Sequence, residues 1–225
     1  MADVVVLLPV LGRPERVAPL LESLYGSERE RSLRSLFLLT PGDEDELVAV
    51  MESDSDYLVM GEAGSGEYAK KINAGIRHSD EPWIFMGADD LCFCPGWADV
   101  AIACSEATGR LVVGTDDLGN PTVRRGRHAT HSLIHRDYVL HGGADGPDVL
   151  HEGYRHNWVD SEFCELAKAR NQFVFCPQAQ VEHLHPFWHK AQDDSTYALG
   201  RDHYAQDRLL FMERQRLWAN PSIGG

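Results

Sequence analysis

Two uninterrupted apolar runs, VVVLL at residues 4–8 and WIFM at 83–86, constrain the fold more than any other feature of the chain. A strand with one wet face alternates apolar and polar residues, whereas a run without alternation must be covered on both faces. The stretch between the two runs supplies the cover. Pro14 suits the first turn of a helix, and Val17, Leu20, Leu21, Leu24 and Tyr25 recur at helical spacing. SLFLLT at 35–40 predicts a second strand closed by Pro41-Gly42, then an acidic helix over 43–51 and a short strand over 57–60. The turn-rich GEAGSGE at 61–67 leads into a helix over 68–76; after WIFM, a helix over 95–107 and a strand over 111–114 follow. Repeated β-α-β units predict a single α/β domain with a mostly parallel, doubly wound sheet and right-handed crossovers. Ligands of such sheets bind beyond the carboxyl ends of the strands. That singles out the polar turns at 9–13, 40–43 and 87–90.

The second half is less regular. Residues 115–157 are rich in Gly, His, Asp and Arg, too polar for a core and too long for an idle connection. A helix over 159–169, a strand over 173–176, an extended piece over 181–184 and a helical segment over 195–218 complete the expected order. With 225 residues the chain suits one sizeable domain. The formal net charge of −14 disfavours broad binding to a phosphate backbone, leaving Arg124-Arg125-Gly126-Arg127-His128 as a local basic patch. No stretch approaches the roughly 20 apolar residues a membrane span needs. The N-terminal apolar run lacks a basic flank and a cleavage site, so it reads as a strand and not a signal peptide. Cys92, Cys94, Cys104, Cys164 and Cys176 show no disulfide-framework spacing, and the C-x-C pair lacks a second pair to close a zinc site. Reduced cysteines in a cytoplasmic protein are expected.

WIFMGADDL carries the sharpest chemistry. Adjacent carboxylates at the end of a buried strand repel each other and call for a cation, with Mg²⁺ or Mn²⁺ shared with substrate phosphates as the natural candidate. A solvated turn or a helix cap is the structural alternative, since Asp is common in both.

With this motif in place, the first half resembles a family 2-type glycosyltransferase of GT-A fold: apolar strand, Pro-containing loop, βαβ units and an acidic metal motif near residue 90. The family carries Asp-x-Asp there. This chain reads Gly87-Ala88-Asp89-Asp90, so the first aspartate is absent. The resemblance implies a nucleotide-sugar half over 1–114 and an acceptor-binding and catalytic half over 115–225 of one domain, 1–225. It places Asp89 on the metal with Asp90 supporting it. It also implies donor contacts from Pro9, Arg13 and Asp43, and from Lys70, Lys71 and Asn73 of the AKKINAG segment, although lysines there also fit a solvated helix face.

The segment NWVDSEFCELAKARNQFVFCPQAQVEHLHP extends the resemblance. Asp160 takes the place of the catalytic base, with Glu162 as the fallback. An acceptor hydroxyl has a very high pKa, so a carboxylate must take its proton as the bond to the sugar forms. A carboxylate at a helix N-terminus is also what the macrodipole favours, which is the structural alternative for Asp160. His183 and His185 lie two apart in an extended piece, so both imidazoles can face one site and complete a metal centre with the aspartates. Lys190, in the polar loop that follows, could offset diphosphate charge. The expected cofactors are Mn²⁺ or Mg²⁺ and a nucleotide-sugar donor, a UDP-sugar first. The expected reaction is a single displacement with inversion.

The acceptor is left open. Residues 115–157, with Asp116, Asp117, His131, Arg136 and the Gly142-Gly143 turn, occupy the region that shapes acceptor binding in the family. The compact chain also resembles small glycosyltransferase-like proteins of bacteriophages, which makes a hydroxylated DNA base an option beside a glycan or a small molecule. Two rivals remain: a nucleotidyltransferase, for which the usual glycine-rich phosphate loop is missing, and a non-catalytic nucleotide- or metal-binding protein.

Overall fold

The computed structural model describes residues 2–63 and 67–219. Part of the glycine-rich loop, 64–66, and the terminal residues 220–225 lie outside the described residues. The first half runs β1 (Val4–Pro9), α1 (Val17–Gly26), β2 (Leu33–Leu39), α2 (Glu44–Glu52), β3 (Asp56–Val59), α3 (Tyr68–Arg77) and β4 (Trp83–Met86). The remainder is β5 (Leu91–Phe93), α4 (Trp97–Thr108), β6 (Val112–Asp116), α5 (Pro121–Arg124), β7 (Ser132–His135), α6 (Arg136–Val139), α7 (Val159–Ala169), β8 (Phe173–His183), α8 (Ser195–Arg214) and α9 (Arg216–Ala219). The eight-stranded sheet has the order β3-β2-β1-β4-β7-β6-β8-β5.

The apolar runs behave as their composition demands. Val4, Val6 and Leu8 of β1 pack on one face against Leu20 and Leu24 of α1 and Trp97 and Ile102 of α4. Val5 and Leu7 face the opposite side, toward Ile72 and Ile76 of α3 and Phe163 and Ala167 of α7. Each such side chain taken fully from water contributes roughly 1.5–3 kcal/mol, which is why β1 tolerates no polar residue. Trp97 is 1% exposed, its indole N–H donating to Ser27 Oγ at 3.1 Å.

Strands β1 to β4 are mutually parallel, as are β6 and β8. β7 runs antiparallel between β4 and β6, and β5 antiparallel to β8. Neither β5 nor β7 is expected from the sequence: each is too short to show a period, and both depend on distant partners. The two extended pieces expected over 173–184 are one strand, β8, irregular between Cys176 and Gln180, which pair with the consecutive β6 residues Thr115 and Asp116. Pro177 accounts for the break, since it brings no N–H to the ladder. The result carries His183 to Leu91, at the start of β5. Among the described residues, no helix is long and apolar enough to cross a membrane.

Candidate active site

The carboxyl edge of the sheet holds a cleft of about 380 Å³. Its first wall is the loop after β1, where Gly12 takes a left-handed φ of 66° that a side chain would strain. The N-terminal turn of α2 fixes this loop: Gly12 N–H donates to Asp43 Oδ2 and Arg13 N–H to Glu46 Oε2, both at 2.6 Å. Burial pushes the Glu46 carboxyl up to about 7. Arg13, 4% exposed, spreads its guanidinium between two carboxylates, with Nη1 2.8 Å from Asp89 Oδ1 and Nε and Nη2 each 2.9 Å from Asp194. The same group lies 3.8 Å over the Tyr197 ring. Burial and the neighbouring Asp90 push Asp89 up to about 6, against the pull of Arg13. Asp89 is thereby committed to Arg13.

Asp90 points elsewhere. Its Oδ2 accepts from the Tyr197 hydroxyl at 2.9 Å and lies 3.2 Å from His183 Nε2. Burial opposes its charge, but His183 holds it well below the usual carboxylate range. His131, just ahead of β7, has Nδ1 3.1 Å from the Met86 carbonyl oxygen. A carbonyl only accepts, so that nitrogen carries the proton and Nε2 presents a lone pair. Burial lowers His131 to about 4 and keeps the ring neutral. His131 Nε2 and His183 Nδ1 are both buried without a hydrogen-bond partner. One ligand atom from each of Asp90, His131 and His183 lies within 4.8 Å of the others. A carboxylate and two imidazoles, one oriented through its far nitrogen by a backbone carbonyl, fit a divalent cation. His185 lines the same cleft, but its Nδ1 accepts from Phe187 N–H at 3.1 Å and its ring stands edge-on to Tyr197.

The opposite wall is the start of α7. Asp160 Oδ1 accepts from Ser161 N–H at 2.8 Å, and Oδ2 lies 2.9 Å from His128 Nε2. Against burial, Asp160 raises His128 to about 11, and His128 in turn holds Asp160 below the usual carboxylate range. Trp158, at φ 68°, turns the chain into the helix. Glu162 faces away and does not line the cleft: both its oxygens take Arg214 at 2.8 Å, and Tyr154 donates at 2.7 Å.

Of the residues expected from the sequence, Pro9, Arg13, Lys71, Asp89, Asp90, Asp160, His183 and His185 come together on this one cleft. Lys71 is buried, donating to the Val10 carbonyl at 2.7 Å and Thr40 Oγ1 at 2.6 Å, and burial lowers it to about 8. The others are engaged outside the cleft. Asp43 anchors the first loop, Lys70 pairs with Glu67, and Lys190 pairs with Glu182 at 2.6 Å. Asn73 exchanges hydrogen bonds with the backbone of Leu150 at 2.8 and 3.0 Å. Sequence reasoning missed His131 as a candidate ligand, and Tyr197 and His128 as parts of the site. The one available signal for His131 was its place directly before the short apolar run SLI.

A mixed sheet of this order, with an acidic turn at the carboxyl edge facing a late histidine, defines the class: the molecule has the GT-A fold. The fold is shared with a mannosyltransferase from Pyrobaculum calidifontis solved with GDP-mannose and Mn²⁺ (TM-score 0.65, 12% identity, 100% of this chain and 76% of that one). It is shared equally with glucosyl-3-phosphoglycerate synthase from Mycobacterium tuberculosis, solved with Mn²⁺, UDP-glucose and phosphoglyceric acid (TM-score 0.65, 10% identity, 95% and 79%). TarS from S. aureus overlaps 78% of this chain with 35% of its own (TM-score 0.58, 11% identity). At these identities the likeness establishes the fold. No protein-family description and no curated protein matches the sequence.

Proposed function

We propose that the chain is a metal-dependent glycosyltransferase that moves a sugar from a nucleotide-sugar donor to an acceptor hydroxyl. The observation that carries this reading is the convergence of Asp90, His131 and His183, with two orphaned imidazole nitrogens, on a cleft whose far wall presents Asp160. Asp90, His131 and His183 would hold the cation; imidazole donors favour Mn²⁺ over Mg²⁺, which prefers oxygen ligands. When bound, the cation stabilises the negative charge that develops on the departing diphosphate. Arg13 stands beside that charge, already desolvated and aimed by Asp89 and Asp194.

Asp160 takes the proton of the acceptor hydroxyl. The imidazolium of His128 orients its carboxylate and keeps it ionised at neutral pH. Among the described residues lining the cleft, the carboxylates are Asp89, Asp90 and Asp160. Arg13 holds the first and the histidine cluster the second, which leaves Asp160 as the base for a single displacement with inversion. The five cysteines are unpaired, which fits a reducing cytoplasm.

A thermal-shift screen of UDP- and GDP-sugars with Mn²⁺ tests this. A donor at 100 times its Kd adds about 2.7 kcal/mol of apparent stability. The expected result is Mn²⁺-dependent stabilisation by one sugar donor, a UDP-sugar first, and release of nucleoside diphosphate on turnover. Release of pyrophosphate would establish nucleotidyl transfer instead, and metal binding without any donor would leave a binding protein.

A further inference from the structure

The acceptor end of the cleft has a chemistry of its own. Trp158 lines it two residues before Asp160, held in the left-handed region at φ 68°. Such backbone persists where the surroundings over-determine it and often marks a ligand clamp. Its indole Nε1 is buried with no hydrogen-bond partner, an unmatched donor of a kind that is uncommon in folded proteins. The Tyr204 ring lies 5.6 Å from it, tilted by 52°, and Tyr204 is itself half exposed on the cleft side of α8. Phe211 backs the indole at 5.1 Å. The pair therefore offers two aromatic surfaces and one N–H beside the base.

Charge decides what those surfaces accept. Among the described residues, Arg13 and Lys71 are the Lys and Arg side chains lining the cleft, and both are committed: Arg13 to Asp89 and Asp194, Lys71 to Val10 and Thr40. The imidazolium of His128, beside Asp160, is committed to that carboxylate. Among the described residues lining the cleft, a phosphate carried by the acceptor would meet no uncommitted Lys or Arg, and Asp160 itself would repel it. A neutral ring with polarised C–H bonds would instead lie on the negative faces of the aromatic rings, and its hydroxyls could take the indole N–H.

We infer that the acceptor is a neutral saccharide seated on Trp158 and Tyr204, with its nucleophilic hydroxyl at Asp160. This rests on the glycosyltransferase reading and names the substrate class of its second subsite. The bond formed joins the acceptor oxygen to the anomeric carbon; the bond broken joins that carbon to the diphosphate; the hydroxyl proton passes to Asp160.

The test measures nucleoside diphosphate release by the full chain with Mn²⁺ and the donor found by the screen. It is run without acceptor, then with methyl glycosides and disaccharides, with 3-phosphoglycerate, and with a short single-stranded oligonucleotide. A neutral saccharide is expected to stimulate release above the acceptor-free rate, and the two charged probes to leave it unchanged. Tyr204→Ala, at an exposed position, should lower that stimulation about tenfold at subsaturating saccharide, and Tyr204→Phe should largely retain it. Leu209→Ala, exposed elsewhere on α8, serves as the control. Trp158→Leu should act as Tyr204→Ala does; if it fails to fold, the Tyr204 pair still decides. Stimulation by a phosphorylated probe alone, or undiminished stimulation in Tyr204→Ala, overturns the inference. Absence of donor binding and of acceptor-free release together would overturn the glycosyltransferase reading, and this inference with it.

Discussion

The two ends of the cleft are built on opposite plans. At one end Arg13, Asp89, Asp90, Asp194, His131, His183 and Tyr197 form a dense charged network drawn from both termini of the chain. At the other, the His128–Asp160 pair stands beside the Trp158 and Tyr204 rings. Charge is concentrated where a leaving diphosphate would develop it, and withheld where a neutral acceptor would bind. A buried charge without a partner is expensive, so a crowded network also makes the first end rigid, while the second depends on shape and one proton transfer. Each end can therefore be disabled without the other.

The largest effect is expected at the sparse end. Asp160→Asn should lower transfer on the order of 10²- to 10⁴-fold while Mn²⁺-dependent donor binding survives; steady-state rates beside the thermal-shift titration check both halves. Loss of donor binding in the same variant would mean that the ends are not separable. At the dense end, Arg13→Met strands Asp89 and Asp194 and should cost about 3–5 kcal/mol of stability, read from urea midpoints. A cost below about 1 kcal/mol would show that the network is not tightly coupled.

The His128–Asp160 pair makes a pH prediction. His128 is raised from 6.5 to about 11, so its contribution to stability is complete below pH 6.5 and is lost as pH rises through about 11. Asp160 is lowered from 3.8, so its contribution is present above pH 3.8 and is lost as pH falls through the lowered value. By NMR, the His128 ring should remain doubly protonated at pH 8. In Asp160→Asn it should titrate well below the native value, because the largest raising partner is gone while burial still acts downward and only Cys164 opposes it; an unchanged titration would show that Asp160 is not its partner. The smallest effect belongs to Lys190→Ala. Its ion pair with Glu182 is partly exposed, and losing it should change stability by about 0.2–1 kcal/mol, measured by the same denaturation.

The layered fold was legible because β1 and β4 are buried on both faces and so carry no polar residue to blur the pattern. β4 and α7 begin and end where the composition says. β5 and β7 were not legible, since three- and four-residue strands show no period and are set by partners far along the chain. The site divides in the same way. Asp90, Asp160 and His183 announce themselves beside recognisable strand and helix ends. The resemblance favours Asp89 as the ligand, and only the reach of Arg13 across 76 residues separates that carboxylate, committed to an ion pair, from Asp90, which faces two imidazoles. His131 was hidden because its role comes from the antiparallel return of β7 onto Met86.

Pulsed EPR of Mn²⁺ bound with a nucleoside diphosphate tests the metal centre most directly, since coupling to ¹⁴N reports imidazole ligands. Nitrogen couplings from two histidines are expected in the native chain, reduced to one in His131→Ala and in His183→Ala. A bound Mn²⁺ with no nitrogen coupling, or couplings unchanged by either substitution, would contradict the assignment of Asp90, His131 and His183.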